Sequence, residues 1–269
     1  MSFDPEKPVL QNRLRFAPWM QEQSRRLPGI MPLDMADWLQ VDEAYAGQLA
    51  LKAHLLATCP DVVHQLPEVA RPAAEELLEL VLDQLRGMDG FAVAKLVTCP
   101  DGRVVEVDRA NPLITLSQLI QEDLIIMMQG GDEHVLAAGL LCFPASWSLR
   151  EKLGRALVSI HIPVHEYTPD LAKRVQRLFD AIRVGRPLWR ANALLYQDPQ
   201  LHQPRSEHER RPGKGGDTPY VRSEKQSLIR LPETQAVVFS IHTTVINRRD
   251  LTPEQERGLI EFPMGEVPA

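Results

Sequence analysis

The sequence predicts an α+β protein, a mostly antiparallel sheet with flanking helices. Three observations carry this. Strand-like runs cluster instead of alternating with helices, which argues against a doubly wound parallel sheet. Three long β-rich runs, "LWRANALLYQ", "YVRSEKQSLIRL" and "AVVFSIHTTVI", follow one another in the C-terminal third. The best helical patterns precede them and carry their own start and stop signals.

Residues 1–33 are rich in Pro and Arg and are expected to be irregular, with residues 34–269 as one domain. Asp34 can cap the next segment, where "WLQVDEAYAGQLALKAHLL" has helical spacing. "RPAAEELLELVLDQLRGM" is a clearer helix, with Pro72 in its first turn, acidic residues early and Gly87 at its end. "FAVAKLVTCPDGRVVEVDR" reads as two strands around a Pro-Asp-Gly turn. "TLSQLIQEDLIIMMQGG" is expected to be a helix, with Thr115 and Gln118 as a capping box. "EHVLAAGLLCF" suits a buried strand, and "SLREKLG" has a boxed start from Ser148 and Glu151. "TPDLAKRVQRLFDAIRVG" is the strongest helix: a Thr168 cap, Pro169, an apolar stripe of Leu171, Val175, Leu178 and Ile182, then Gly185. Thr252-Pro253 opens a short last helix.

Composition narrows the function. Net charge is −6, which disfavours nucleic acid as a partner. No apolar run reaches the roughly 20 residues of a membrane span. The opening "MSFDPEKPVL" lacks a signal-peptide core, and Cys59, Cys99 and Cys142 form no pairing or zinc pattern, so a cytoplasmic protein is expected. The Cys-Pro dipeptides at 59–60 and 99–100 read as element ends in preference to haem-thiolate motifs. "RPGKGGD" lacks the Ser/Thr and the preceding strand of a phosphate loop. The surrounding "SEHERRPGKGGDTP" is a loop and a candidate lid. The basic run Lys173, Arg174, Arg177, Arg183 and Arg186 is a solvated helix face or a dock for an acidic partner.

The three late strands carry the chemistry. Alternation places Arg222, Glu224, Gln226, Leu228 and Arg230 on one face of their strand, and Arg190 with Asn192 on one face of the preceding strand. Ser240, His242 and Thr244 form a third polar stripe. Side by side, the stripes would line one concave site; otherwise they form the wet side of a one-sided sheet. His161 and His165 stand in the apolar stretch "VSIHIPVHEY", with Pro163 between them. Metal ligand, catalytic base and buried polar group all remain open for them.

Five ordered segments, "RLPGIMPLDMADWLQVDEAYAGQL", "QEDLIIMM", "SLREKLGRALVSIHIPV", "RPLWRAN" and "YVRSEKQSLIRLP", together resemble the haem-dependent oxidative N-demethylase alpha-subunit family over about residues 14 to 260. The resemblance implies a PAS-like haem-binding domain. It implies haem b with iron, and oxidation of a small secondary amine, dimethylamine-like, by O2 to a primary amine and formaldehyde. Electrons would come from NADPH through partner FMN and iron–sulfur reductase subunits. A haem-binding PAS-like sensor or scaffold without turnover is the alternative. Carried onto this chain, the resemblance makes His161 the axial metal ligand, with His242 and His165 as rivals. It places Glu224, Arg222, Gln226 and Arg230 in catalysis, Glu224 as anchor for an alkylammonium, and Lys152, Arg190 and Asn192 around the cofactor. His165 departs from the second Pro often found there in the family, and Lys225 from an Arg.

Overall fold

A computed structural model describes residues 4–26, 28–161, 169–206, 218–264 and 266–267; the side chains of 158, 161, 169–174 and 266–267 lie outside that description. Along the chain the elements are α1 (Glu22–Arg25), β1 (Met31–Pro32), α2 (Tyr45–Thr58), α3 (Pro60–Val63), β2 (His64–Gln65), α4 (Arg71–Arg86), β3 (Ala92–Val93), β4 (Leu96–Thr98), β5 (Val104–Glu106) and α5 (Pro112–Leu119). Next come β6 (Asp123–Gly130), β7 (Glu133–Leu140), α6 (Leu149–Lys152), α7 (Leu157–His161), α8 (Pro169–Ala181), β8 (Leu188–Tyr196), β9 (Tyr220–Arg230), β10 (Val237–Asn247), α9 (Pro253–Glu261) and β11 (Glu266–Val267).

Local chemistry explains most of these. Asp34 accepts a hydrogen bond from Ala36 N and starts a 3-10 turn, so the next helix begins later, at Tyr45. Thr252 and Gln255 close a full capping box on α9. Gly185 takes φ +72° just beyond α8, the left-handed turn that only glycine adopts cheaply. The Pro-Asp-Gly turn does join β4 to β5.

Three expectations need correction. "TLSQLIQEDLIIMMQGG" is not one helix: α5 stops at Leu119 and Asp123–Gly130 is strand β6. The β-branched and Met-rich "LIIMM" pairs on both edges, and that tertiary pairing outweighs the helical spacing. Thr115 is consequently inside α5, where its hydroxyl donates to the Asp108 carbonyl. Ser148 does precede α6 but its side chain makes no cap bond; Glu151 accepts from Ser206 Oγ. In α4, no acidic residue falls in the first turn.

The main sheet runs β1-β8-β9-β10-β6-β7-β2, every pair antiparallel, with β11 added parallel to β8. β3, β4 and β5 form a small separate sheet. Helices cover both faces. On one, Leu149, Leu157, Phe179 and Ile182 from the α6–α8 region pack on Ile125, Met127, Leu228, Val237 and Ile241. On the other, α2, α4 and α5 pack on Leu124, Ile126, Ile229 and Val238. Helix α4 buries Leu77, Leu78, Val81, Leu82 and Leu85 almost completely, about 1.5–3 kcal/mol for each side chain. Residues before 34 are packed too: Leu14, Ala17 and Trp19 meet Leu195, Val221 and Ile246.

The central strands are in long, continuous register. β9 pairs β10 from Tyr220↔Asn247 to Arg230↔Val237, and β8 pairs β9 from Leu188↔Leu228 to Tyr196↔Tyr220. This register decides which polar stripes share a face.

Candidate functional site

Arg190 stands opposite Gln226, Asn192 opposite Glu224 and Leu194 opposite Arg222. Alternation puts all of them on the α8 side of the sheet. Two of the expected stripes therefore do merge. The third does not: Ser240, His242 and Thr244 pair with Ser227, Lys225 and Ser223, on the α4 side. The β10 residues facing the polar cluster are Ile241, Thr243 and Val245. A single register step separates the two outcomes, which no strand sequence alone specifies.

The cluster is buried. Arg222 is 3% exposed and Glu224 8%. Glu224 is held from two sides: Gln226 Nε2 donates to Oε2 at 3.0 Å, and Arg222 Nε lies 3.4 Å from Oε1. The remaining Arg222 nitrogens donate to Phe143 O (2.6 Å) and Leu201 O (3.1 Å), and the guanidinium lies over the Tyr196 ring. One guanidinium thus ties two loops to one carboxylate. The same loops are joined again by His202 Nδ1 at 2.8 Å from Cys142 O. A buried carboxylate costs several kcal/mol unless it is paired and hydrogen-bonded, and here it is both.

Arg190 is different. Its Nε is buried without a hydrogen-bond partner among the described residues. Burial pushes its guanidinium below the ordinary value, and the nearby Glu224 charge works against that. Thr243 Oγ1, on the same side of β10, is also buried and unpartnered among the described residues.

Arg230 does not join the cluster. It donates to Phe179 O, Ile182 O and Gln235 O, closing the C-terminal end of α8. A groove of about 440 Å³ opens beside it, lined by His134, Asp180 and Arg183 among others, and shares no residue with the Glu224 cluster. Arg177, Arg183 and Arg186 are exposed, as on a solvated face. Lys152 is buried on α6 and donates to Ile160 O at 2.7 Å, which ties α6 to α7. His161 is the last residue of α7, but its side chain lies outside the described side chains. His165, Thr168 and most of "SEHERRPGKGGDTP" (207–217) lie outside the described residues.

His242 is fully engaged elsewhere. On the α4 side its Nδ1 lies 3.0 Å from Glu122 Oε1 and its Nε2 3.1 Å from Asp42 Oδ2. Burial alone would lower its pKa, but the two hydrogen bonds and the two carboxylate charges raise it to about 9. Asp42 is pushed well below the carboxylate range: burial raises it, and bonds to His242, Gln11 and Gln121 overcome that. Neither ring nitrogen is free for a metal. Around this triad, Gln121 bonds Asp42 and Gln48, and Lys52, 0% exposed, donates to Glu122 O and pairs with Asp123 at 3.1 Å. Sequence reasoning missed this network. Its signal was present: Lys52 interrupts the apolar "LALKAHLL", and Glu122-Asp123 precede "LIIMM".

Among the described residues no three His, Cys, Asp or Glu side chains gather to hold a metal ion. The free thiols Cys99 and Cys142 are pushed up, mainly by burial, which disfavours the thiolate form of a metal ligand. Among the described residues no helix is long and apolar enough to cross a membrane.

The class defined here is an α+β protein whose central antiparallel sheet, covered by helices on both faces, carries a buried ionic cluster. A family model described as haem-dependent oxidative N-demethylase, alpha subunit-like, matches residues 29–261. The chain belongs to that family, which is named for haem-dependent oxidative demethylation.

Proposed function

We propose that the chain is the haem-binding subunit of an oxidative N-demethylase acting on a small secondary amine, with Glu224 as the anchor for the substrate ammonium. The observation that carries this reading is the Glu224 carboxylate itself. It is buried, oriented by Arg222 and Gln226, and stands on the inner face of the sheet in a chain of this family. A buried, pre-oriented anion suits an alkylammonium better than any neutral ligand, because its desolvation cost is met before the ligand arrives.

The residues present fit a haem group. The Arg190 guanidinium Nε is buried without a hydrogen-bond partner among the described residues and offers a donor to an anionic propionate. Leu188, Leu228, Phe239 and Ile241 form apolar surface on the same side of the sheet. His161 at the end of α7 would supply an imidazole ligand to the iron, with Lys152, Arg190 and Asn192 around the group. When bound, haem b supplies the activation of O2 for oxidation of the N-methyl carbon. The chain's own residues bind and orient the amine at Glu224 and hold water away from the cluster. Arg222 pairs with the carboxylate and holds the loops at 143 and 201 in place. Two electrons per turnover must come from outside, and we assign them to NADPH through flavin and iron–sulfur reductase subunits in the cytoplasm. Primary amine and formaldehyde are the products. We also read the sheet as PAS-like.

The test is the visible spectrum of the purified, haem-replete chain beside His161→Ala. A Soret band that shifts or disappears in the variant is expected. Glu224→Gln should keep the Soret band and lose about a hundredfold or more of amine-dependent NADPH consumption with the reductases, the scale of one buried charge contact. No band in the wild type would overturn the haem reading. A Glu224→Gln protein with full turnover would overturn the anchor. A wild-type band without any amine turnover would favour a sensor.

A further inference from the structure

We propose that Arg190 is a built receptor for a carboxylate carried by a ligand of this site. The proposal rests on the reading of Glu224 as an ammonium anchor and extends it to the chemical class of what binds. The cluster holds two cations against one anion. Arg222 is spent: two of its nitrogens hold the carbonyls of Phe143 and Leu201, and its third faces Glu224. Gln226 completes that carboxylate. Arg190 remains, with a buried Nε that finds no partner among the described residues and no carboxylate within ion-pair distance there. A guanidinium needs an anion or several acceptors once water is removed, and a planar, forked donor matches a carboxylate best.

Its position adds a constraint. Arg190 pairs across the strands with Gln226, and Glu224 with Asn192, so Arg190 and Glu224 are diagonal neighbours on one face. Such neighbours stand about 7–8 Å apart at the backbone, within reach of long side chains. A cation receptor and an anion receptor a diagonal step apart suit a ligand presenting both charges. Two sources of the carboxylate fit. One is a haem propionate. The other is the substrate itself, which would then be an N-methyl amino acid instead of a simple dialkylamine.

The experiment compares the wild-type chain with Arg190→Gln and Arg190→Lys in two binding arms. The first titrates the haem-free chain with haem and with haem dimethyl ester, read at the Soret band. The second titrates N-methylglycine and dimethylamine by calorimetry, into the haem-loaded and the haem-free chain. A charge-assisted bidentate contact is worth roughly tenfold or more in affinity. If propionate is the carboxylate, wild type prefers haem over its diester by about that factor and Arg190→Gln loses the preference. If the substrate carries it, wild type prefers N-methylglycine by about that factor, and only that preference collapses. Arg190→Lys should restore part of either preference. Ligand preferences within about twofold in both wild-type arms, or unchanged in Arg190→Gln, overturn the proposal. A wild-type chain without either preference overturns the proposal with no variant needed, and Arg190→Lys carries the test where Arg190→Gln fails to fold. Absence of a Soret band in wild type removes the haem reading only, because calorimetry on the haem-free chain still reads Arg190.

Discussion

Replacing His242 by Gln should be among the most destabilising single changes in this protein. The imidazole is buried between Glu122 and Asp42, with one nitrogen on each. Its pKa rises from an ordinary 6.5 to about 9. At about 1.4 kcal/mol per tenfold change in proton affinity, that corresponds to about 3–4 kcal/mol of folding free energy. Removing one partner of a buried charge pair costs about 3–5 kcal/mol by a separate route, since both carboxylates would stay buried without a countercharge. The two agree. In a chain of this size the loss should appear as a drop of roughly 10 °C in Tm. The sign of the pH dependence comes from the raised folded-state pKa. The contribution is fully present below 6.5 and is lost as pH rises through about 9. Urea denaturation of wild type and His242→Gln at pH of about 6.5, 8 and 9.5 should therefore show the difference between them shrinking with pH. A difference below about 1 kcal/mol, or one that does not change with pH, would refute the idea that a charged His242 ties the two carboxylates together.

Lys52→Met leaves Asp123 buried without its cation and should cost about 3–5 kcal/mol in a chemical-denaturation experiment. Arg230→Gln should lower stability by about 1.5–3 kcal/mol by releasing carbonyls at the end of α8, and on the proposed function it should leave the Soret band and amine binding at wild-type values. Gly139→Ala should cost about 1–3 kcal/mol, because a Cβ there would meet Ile125 Cδ1 at 2.8 Å and Leu149 Cδ1 at 3.0 Å; a neutral result would mean α6 moves aside freely.

The polar face of β9 was legible because alternation is a local property. Arg222, Glu224 and Gln226 recur every second residue, and a strand of this length must show them on one side. Arg190 and Asn192 were legible for the same reason. His242 has the spacing of a residue on that same surface. It lies elsewhere, because β10 meets β9 in a register that turns its stripe to the opposite side. Arg230 belongs to the right stripe and still leaves the site, since the end of α8 lies above it and offers unsatisfied carbonyls. Residues 123–130 read as helix by spacing, yet strand partners on either edge took them.

What the sequence determined by itself was therefore whatever depends on neighbours along the chain. That covers the helix caps at Thr252 and Asp34, the Pro-Asp-Gly hairpin, the alternation in the three long strands and the membership of the family. What only the tertiary structure decided was which faces meet. Register joined Arg190 and Asn192 to Glu224, sent His242 to the other layer, and brought Lys52, Glu122 and Asp42 together from distant stretches of the chain. Such contacts arise from packing and the pairing of buried charges between remote segments, and no local pattern encodes them.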